Sequence, residues 1–173
     1  MRRTTLAGSS SYGETGPLRS QVTPIASTLF ASALALLPIV SGAQLLPNFG
    51  LLALLSWRLL RPEMWTARVG LALGFAHDLI TGGPLGLAMS LWTFLLLMFD
   101  FVDSRLIWRD YWIDWILAAL AIGLASAFEW KVADLMGAAG PMHTILPHIL
   151  ISILCFPAML AVVARLDRWR LRR

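Results

Sequence analysis

Six apolar runs separated by short polar breaks constrain this chain more than any other feature. They cover about residues 22–46, 49–60, 69–81, 85–102, a stretch from Tyr111 that continues to Asp134, and 144–164. With 58% hydrophobic and 14% charged residues and a mean hydropathy of +0.71, the sequence is too apolar for a soluble domain. It fits an all-α, polytopic six-helix transmembrane bundle. We divide it into a Ser/Thr/Gly-rich tail over 1–21 without apolar periodicity, expected to be disordered, a six-span domain over 22–165 and a basic tail over 166–173. The single cysteine, Cys155, lies in an apolar run and excludes an internal disulfide. A net charge of +4 would point to nucleic acid in a soluble protein; here its distribution matters more, and no nucleic-acid partner is expected.

Thirteen of the fourteen basic residues are arginines. Arg2, Arg3 and Arg19 precede the first run, Arg58, Arg61 and Arg68 follow the second, Arg105 and Arg109 follow the fourth, and Arg165, Arg168, Arg170, Arg172 and Arg173 follow the sixth. An even number of crossings gathers all of them on one face and leaves Lys131 alone opposite. The positive-inside rule then predicts a multi-pass protein with both termini cytoplasmic. The second run has only twelve residues, Phe49–Leu60, about 18 Å of helix against a hydrocarbon slab of about 30 Å. A re-entrant hairpin leaving three arginines at mid-depth would cost about 8 to 10 kcal/mol, so two short spans in locally thinned bilayer are the better expectation. Trp57, Arg61 and Pro62 then act as interface anchors. Pro24 opens the first span and Pro38 kinks it; Ser41-Gly42-Ala43 has the small-residue form of a signal-peptidase site, but the long neutral region ahead of the apolar run argues against cleavage. Trp108, Tyr111, Trp112 and Trp115 form an interfacial belt, with Asp110 and Asp114 in the first turn of the fifth helix.

The stretch 74–86 places an acid and several glycines amid apolar sequence. Asp78 ends the third span, where a carboxylate opposes the helix dipole, so a compensating donor set is required. We expect it to accept N–H groups from Gly82 to Gly86 and fix a tight outer corner, with Gly83 capping and Pro84 opening the next helix. Partner docking, and proton or ligand chemistry, are the alternatives. His77, Asp78, Glu129, His143 and His148 all fall in the outer half. His143 and His148 are five residues apart with Pro147 between them, so they do not present two ligands on one helix face. With no hydrolase, zinc or phosphate-loop motif, neither catalysis nor a metal is expected. His77 and Glu129 are possible partner or polar contacts. Ala118, Ala119, Ala121, Gly123, Ala125, Ser126 and Ala127 allow close helix approach on the fifth span.

Trp57-Arg58-Leu59-Leu60-Arg61-Pro62, followed by the 74–86 stretch, resembles the MreD family of bacterial rod shape-determining membrane proteins. That family has a short span ending in Arg-Pro and then a Gly-Leu-x-x-Asp-Leu-x-x-Gly-x-Pro-Leu-Gly corner. Gly74, Asp78, Leu79, Gly82, Pro84, Leu85 and Gly86 match it, and Phe75 stands in for the leucine. The likeness is closest over about residues 57–90. It implies a non-enzymatic component of the cell-elongation machinery in the bacterial inner membrane, without a cofactor. The implied partners are MreC and, through it, MreB, RodA and a class B penicillin-binding protein. It also implies a fold similar to the substrate-binding subunit of energy-coupling-factor transporters, which makes a small-molecule (vitamin) binding subunit the alternative. A membrane enzyme is disfavoured by the missing motifs.

Overall fold

The structure, a computed structural model, describes residues 17–36, 46–105 and 111–171, with the side chains of the first helix described from residue 22 onward. Among these residues there are six α-helices and no strand: α1 Pro17–Ala33, α2 Phe49–Leu60, α3 Ala67–Thr81, α4 Leu87–Arg105, α5 Tyr111–Leu135 and α6 Ile145–Leu171. Three segments are long and apolar enough to cross a membrane: Leu87–Arg105, Tyr111–Leu135 and Met142–Leu171. Val22–Leu36 and Phe49–Leu60 are shorter apolar helices.

The short helix α2 is the centre of the bundle. All of Leu51, Leu52, Ala53, Leu54, Leu55, Ser56, Trp57 and Arg58 are buried, which explains a sequence apolar on every face rather than along one stripe. Asn48 caps its start by accepting from Leu51 N at 3.1 Å. Around it pack Trp92, Leu95, Leu96 and Phe99 of α4, Ala118, Ala121 and Ile122 of α5, and Phe156 and Val163 of α6.

Helices α3 and α4 form the closest pair because α3 presents Gly70 and Gly74 to its neighbour. A methyl at Gly74 would lie 2.6 Å from the Ala88 carbonyl oxygen, and one at Gly70 would lie 3.2 Å from that of Trp92. Glycine is what permits this approach, as in other membrane helix pairs.

Several expectations are corrected. Helix α1 starts at Pro17, ahead of residue 22, so Pro24 sits inside it; the Ser27 and Thr28 hydroxyls donate to the Pro24 carbonyl at 3.0 and 2.9 Å. Helix α6 continues through the first residues of the basic tail to Leu171. Trp57 is fully buried and is no interface anchor: its Nε1 donates to Ser27 Oγ at 2.8 Å, and the Arg170 guanidinium covers its ring at 5.4 Å. In the aromatic belt, Tyr111 and Trp112 are exposed and Trp112 stacks edge-on against Trp115. Pro38, Ser41-Gly42-Ala43, Trp108, Arg109 and Asp110 lie outside the described residues.

Candidate functional site

The helices alternate in direction, so polar residues far apart in sequence collect at two ends. At the first end, the C-termini of α2, α4 and α6 meet. Arg58 is only 2% exposed, and its Nη2 reaches Asp100 Oδ1 at 2.7 Å and Asp103 Oδ2 at 2.8 Å. One turn on, Arg61 donates to Asp167 Oδ2 from Nε at 3.2 Å and from Nη2 at 2.9 Å, while Arg170 Nη2 lies 2.8 Å from Asp167 Oδ1. The Asp167 hydrogen bond holds the Arg61 guanidinium above its usual range. These pairs join α2 to α4 and α2 to α6. Arg58 and Arg61 thus work as interhelical clamps rather than as headgroup anchors, because carboxylates in the last two turns of other helices, Asp100 and Asp103 of α4 and Asp167 of α6, come within reach. Nothing in the spacing of Arg58, Asp100 and Asp103 along the chain signals that pairing. Arg68 and Pro62 are exposed.

The second end holds the corner. Gly82, at φ +68°, ends α3 with its N–H on the Asp78 carbonyl at 3.0 Å; Gly86, at φ +96°, precedes α4. Both conformations favour glycine. The expected roles of Gly83 as cap and Pro84 as first helical residue are not what is found. Pro84 instead accepts from Leu87 N at 3.1 Å in a turn ahead of α4. The cap of α4 comes from α3: Asp78 Oδ2 accepts from Gly86 N at 2.9 Å and Met89 N at 3.4 Å, and Oδ1 from Ala88 N at 2.9 Å. The donors therefore lie further along the chain than Gly82 to Gly86, with Gly86 the shared position. A carboxylate unfavourable at the end of its own helix is stabilised by the start of the next.

Beside the corner, Asn48, His77, Asp78, Thr81, Glu129 and His148 line a cleft of about 460 Å³. His77 is 7% exposed and its ring packs on Trp92 at 4.8 Å between centroids. Asn48 Nδ2 donates to Glu129 Oε1 at 3.3 Å. Four of the five residues expected in the outer half are brought together here; His143 is exposed and outside the lining. Asn48 and Thr81 were not singled out in the sequence, since an Asn-capped helix start and a helical Thr carry no local mark of a cleft. Among the described residues no three His, Cys, Asp or Glu side chains are grouped to hold a metal ion.

A bundle of helices, three of them long and apolar enough to cross a membrane, tied internally by ion pairs and a carboxylate-capped corner, is that of an integral membrane protein. A family model described as rod shape-determining protein MreD matches residues 19–166, and the chain belongs to the MreD family. The match reaches well beyond the 57–90 segment where the sequence likeness is closest. Comparison with curated proteins found no match, and comparison with solved structures found none either.

Proposed function

We propose that this chain is a non-enzymatic, multi-pass component of the bacterial cell-elongation complex, binding the membrane segment of MreC and through it serving MreB, RodA and a class B penicillin-binding protein in lateral peptidoglycan synthesis. Membership of the rod shape-determining family over residues 19–166 carries this reading. The distribution of side chains supports it: the bundle's charged groups are mostly tied to one another, while Phe94, Leu97, Phe101, Leu120, Leu124 and Phe128 leave α4 and α5 with apolar outer faces. Both termini are cytoplasmic in this account, and the corner of Gly74, Asp78, Gly82, Pro84 and Gly86 is an outward structural element that holds α3 against α4 or meets the partner. Co-purification from membranes of cells expressing tagged protein and the organism's MreC tests it. Stable association is expected; its absence from a well-folded preparation counts against the proposal.

A second reading, a small-molecule (vitamin) binding subunit of a transporter, is favoured by the polar cleft beside the corner. Saturable binding of a vitamin by the purified protein would support it over the first.

A further inference from the structure

The described arginines at the clamped end fall into two sets. Arg58, Arg61 and Arg170 are held by carboxylates of the bundle. Arg68, Arg105, Arg165 and Arg168 are exposed, and none of them has a carboxylate partner among the described residues. Glu63 and Asp100, acids exposed at the same end, are already paired with Arg61 and Arg58. The second set follows one rule on three helices. On α4, Phe94, Leu97 and Phe101 form an exposed apolar stripe at three- and four-residue spacing; Arg105 is its next member, its guanidinium 5.4 Å from the centre of the Phe101 ring. On α6, the exposed stripe of Leu150, Leu154 and Val162 runs into Arg165, then Arg168 and Trp169. On α3, which runs the other way, Arg68 comes first and Leu71, Phe75 and Leu79 follow on its face. There the cation sits in the first turn, where the helix dipole disfavours it and no acid compensates.

Depth decides what such cations meet. Helix α6 has 27 residues, about 40 Å, against a hydrocarbon slab of about 30 Å, so a helix that enters at Ile145 emerges near Arg165. Arg165 and Arg168 therefore stand at headgroup level, with Trp169 in the interface that indoles favour. We propose that Arg68, Arg105, Arg165 and Arg168 form a girdle that binds the phosphates of anionic phospholipids, with the pair on α6 as its strongest point. A lipid fits better than an acidic soluble protein, because the cations end apolar outer stripes on three helices instead of gathering on a surface that faces water. The inference rests on the helices crossing the bilayer and not on MreC binding, so either can fail alone.

The test reconstitutes the full chain in phosphatidylcholine vesicles carrying a trace of spin-labelled phosphatidylglycerol or spin-labelled phosphatidylcholine, and measures the motionally restricted fraction of each. A basic side chain near the surface is worth about fivefold in local affinity for an anionic lipid. Averaged over boundary sites that lack an arginine, phosphatidylglycerol should be enriched about twofold or more, and less so at high salt. Combining Arg68→Gln, Arg105→Gln, Arg165→Gln and Arg168→Gln should remove more than half of the enrichment, while lysine at the same four positions should keep more than half. Enrichment below about twofold in the unmodified protein, or a loss of less than half in the fourfold Gln variant, overturns the proposal. So does binding of poly-glutamate by the purified chain without any preference among lipids, which marks a protein interface instead. Should the fourfold variant fail to assemble, Arg165→Gln with Arg168→Gln decides on the same readout: a loss of about a quarter or more supports the girdle, and a smaller one rejects it.

Discussion

At the arginine-rich end of the bundle, Arg58 has Asp100 and Asp103, and Arg61 and Arg170 share Asp167, so these carboxylates are matched by guanidinium groups from α2 and its C-cap, with Arg170 of α6 itself adding to the Asp167 pair. At the corner end, Asp78 has three backbone N–H groups and Glu129 a side-chain amide, and among the described residues no lysine or arginine lines their cleft. The contrast separates two uses of charge in an apolar protein. Paired charges tie together helices distant in sequence, and N–H groups at a helix start hold a carboxylate within a hairpin of consecutive helices. Only the second arrangement holds its carboxyl groups without a lysine or arginine partner, and that is where the cleft lies.

The contrast can be broken first at the clamped end. Asp100→Asn combined with Asp103→Asn leaves the buried Arg58 charge uncompensated and should cost about 3 to 5 kcal/mol, seen as a lower unfolding midpoint in detergent. A loss below about 1 kcal/mol would mean that solvent or lipid already screens the pair. At the corner end, Gly74→Ala places a methyl against the Ala88 and Met89 backbone and should cost about 3 kcal/mol by forcing α3 from α4. Asp78→Asn keeps the shape but exchanges a charged acceptor for an amide with one oxygen, a loss of about 2 kcal/mol in the same assay. The smallest effect belongs to neither end: Gly123→Ala, where an added methyl meets nothing within 4 Å, should raise stability by about 0.5 kcal/mol.

How much of this was legible in the sequence follows from the same division. Helix α2 and the corner are local features. The apolar run Phe49–Leu60 and the Gly74, Asp78, Gly82 and Gly86 spacing therefore announce them directly, and the family match confirms the kinship they suggest. The exchange of capping duties between Gly82, Gly83 and Asp78 was less visible, because which glycine takes a positive φ depends on where α4 can dock. The clamps were not legible. Arg58 and Asp100 stand 42 positions apart, and Arg61 and Asp167 stand 106 apart. Arginine after an apolar run reads as a headgroup anchor unless an opposing carboxylate is known to arrive. Trp57 was misjudged for the same reason, since only the fold puts Ser27 and Arg170 around it.

The central claim is that these two ends face opposite sides of the membrane, with the clamped, arginine-rich end inside. Cysteine accessibility tests it most directly, since Cys155→Ser removes the only native thiol. Single cysteines would then be placed at Leu85, exposed in the corner, and at Trp169, exposed near the end of α6. In intact spheroplasts a membrane-impermeant maleimide should label Leu85→Cys at once and Trp169→Cys only after permeabilisation. Labelling of Trp169→Cys from outside, or of both sites from the same side, would contradict the account.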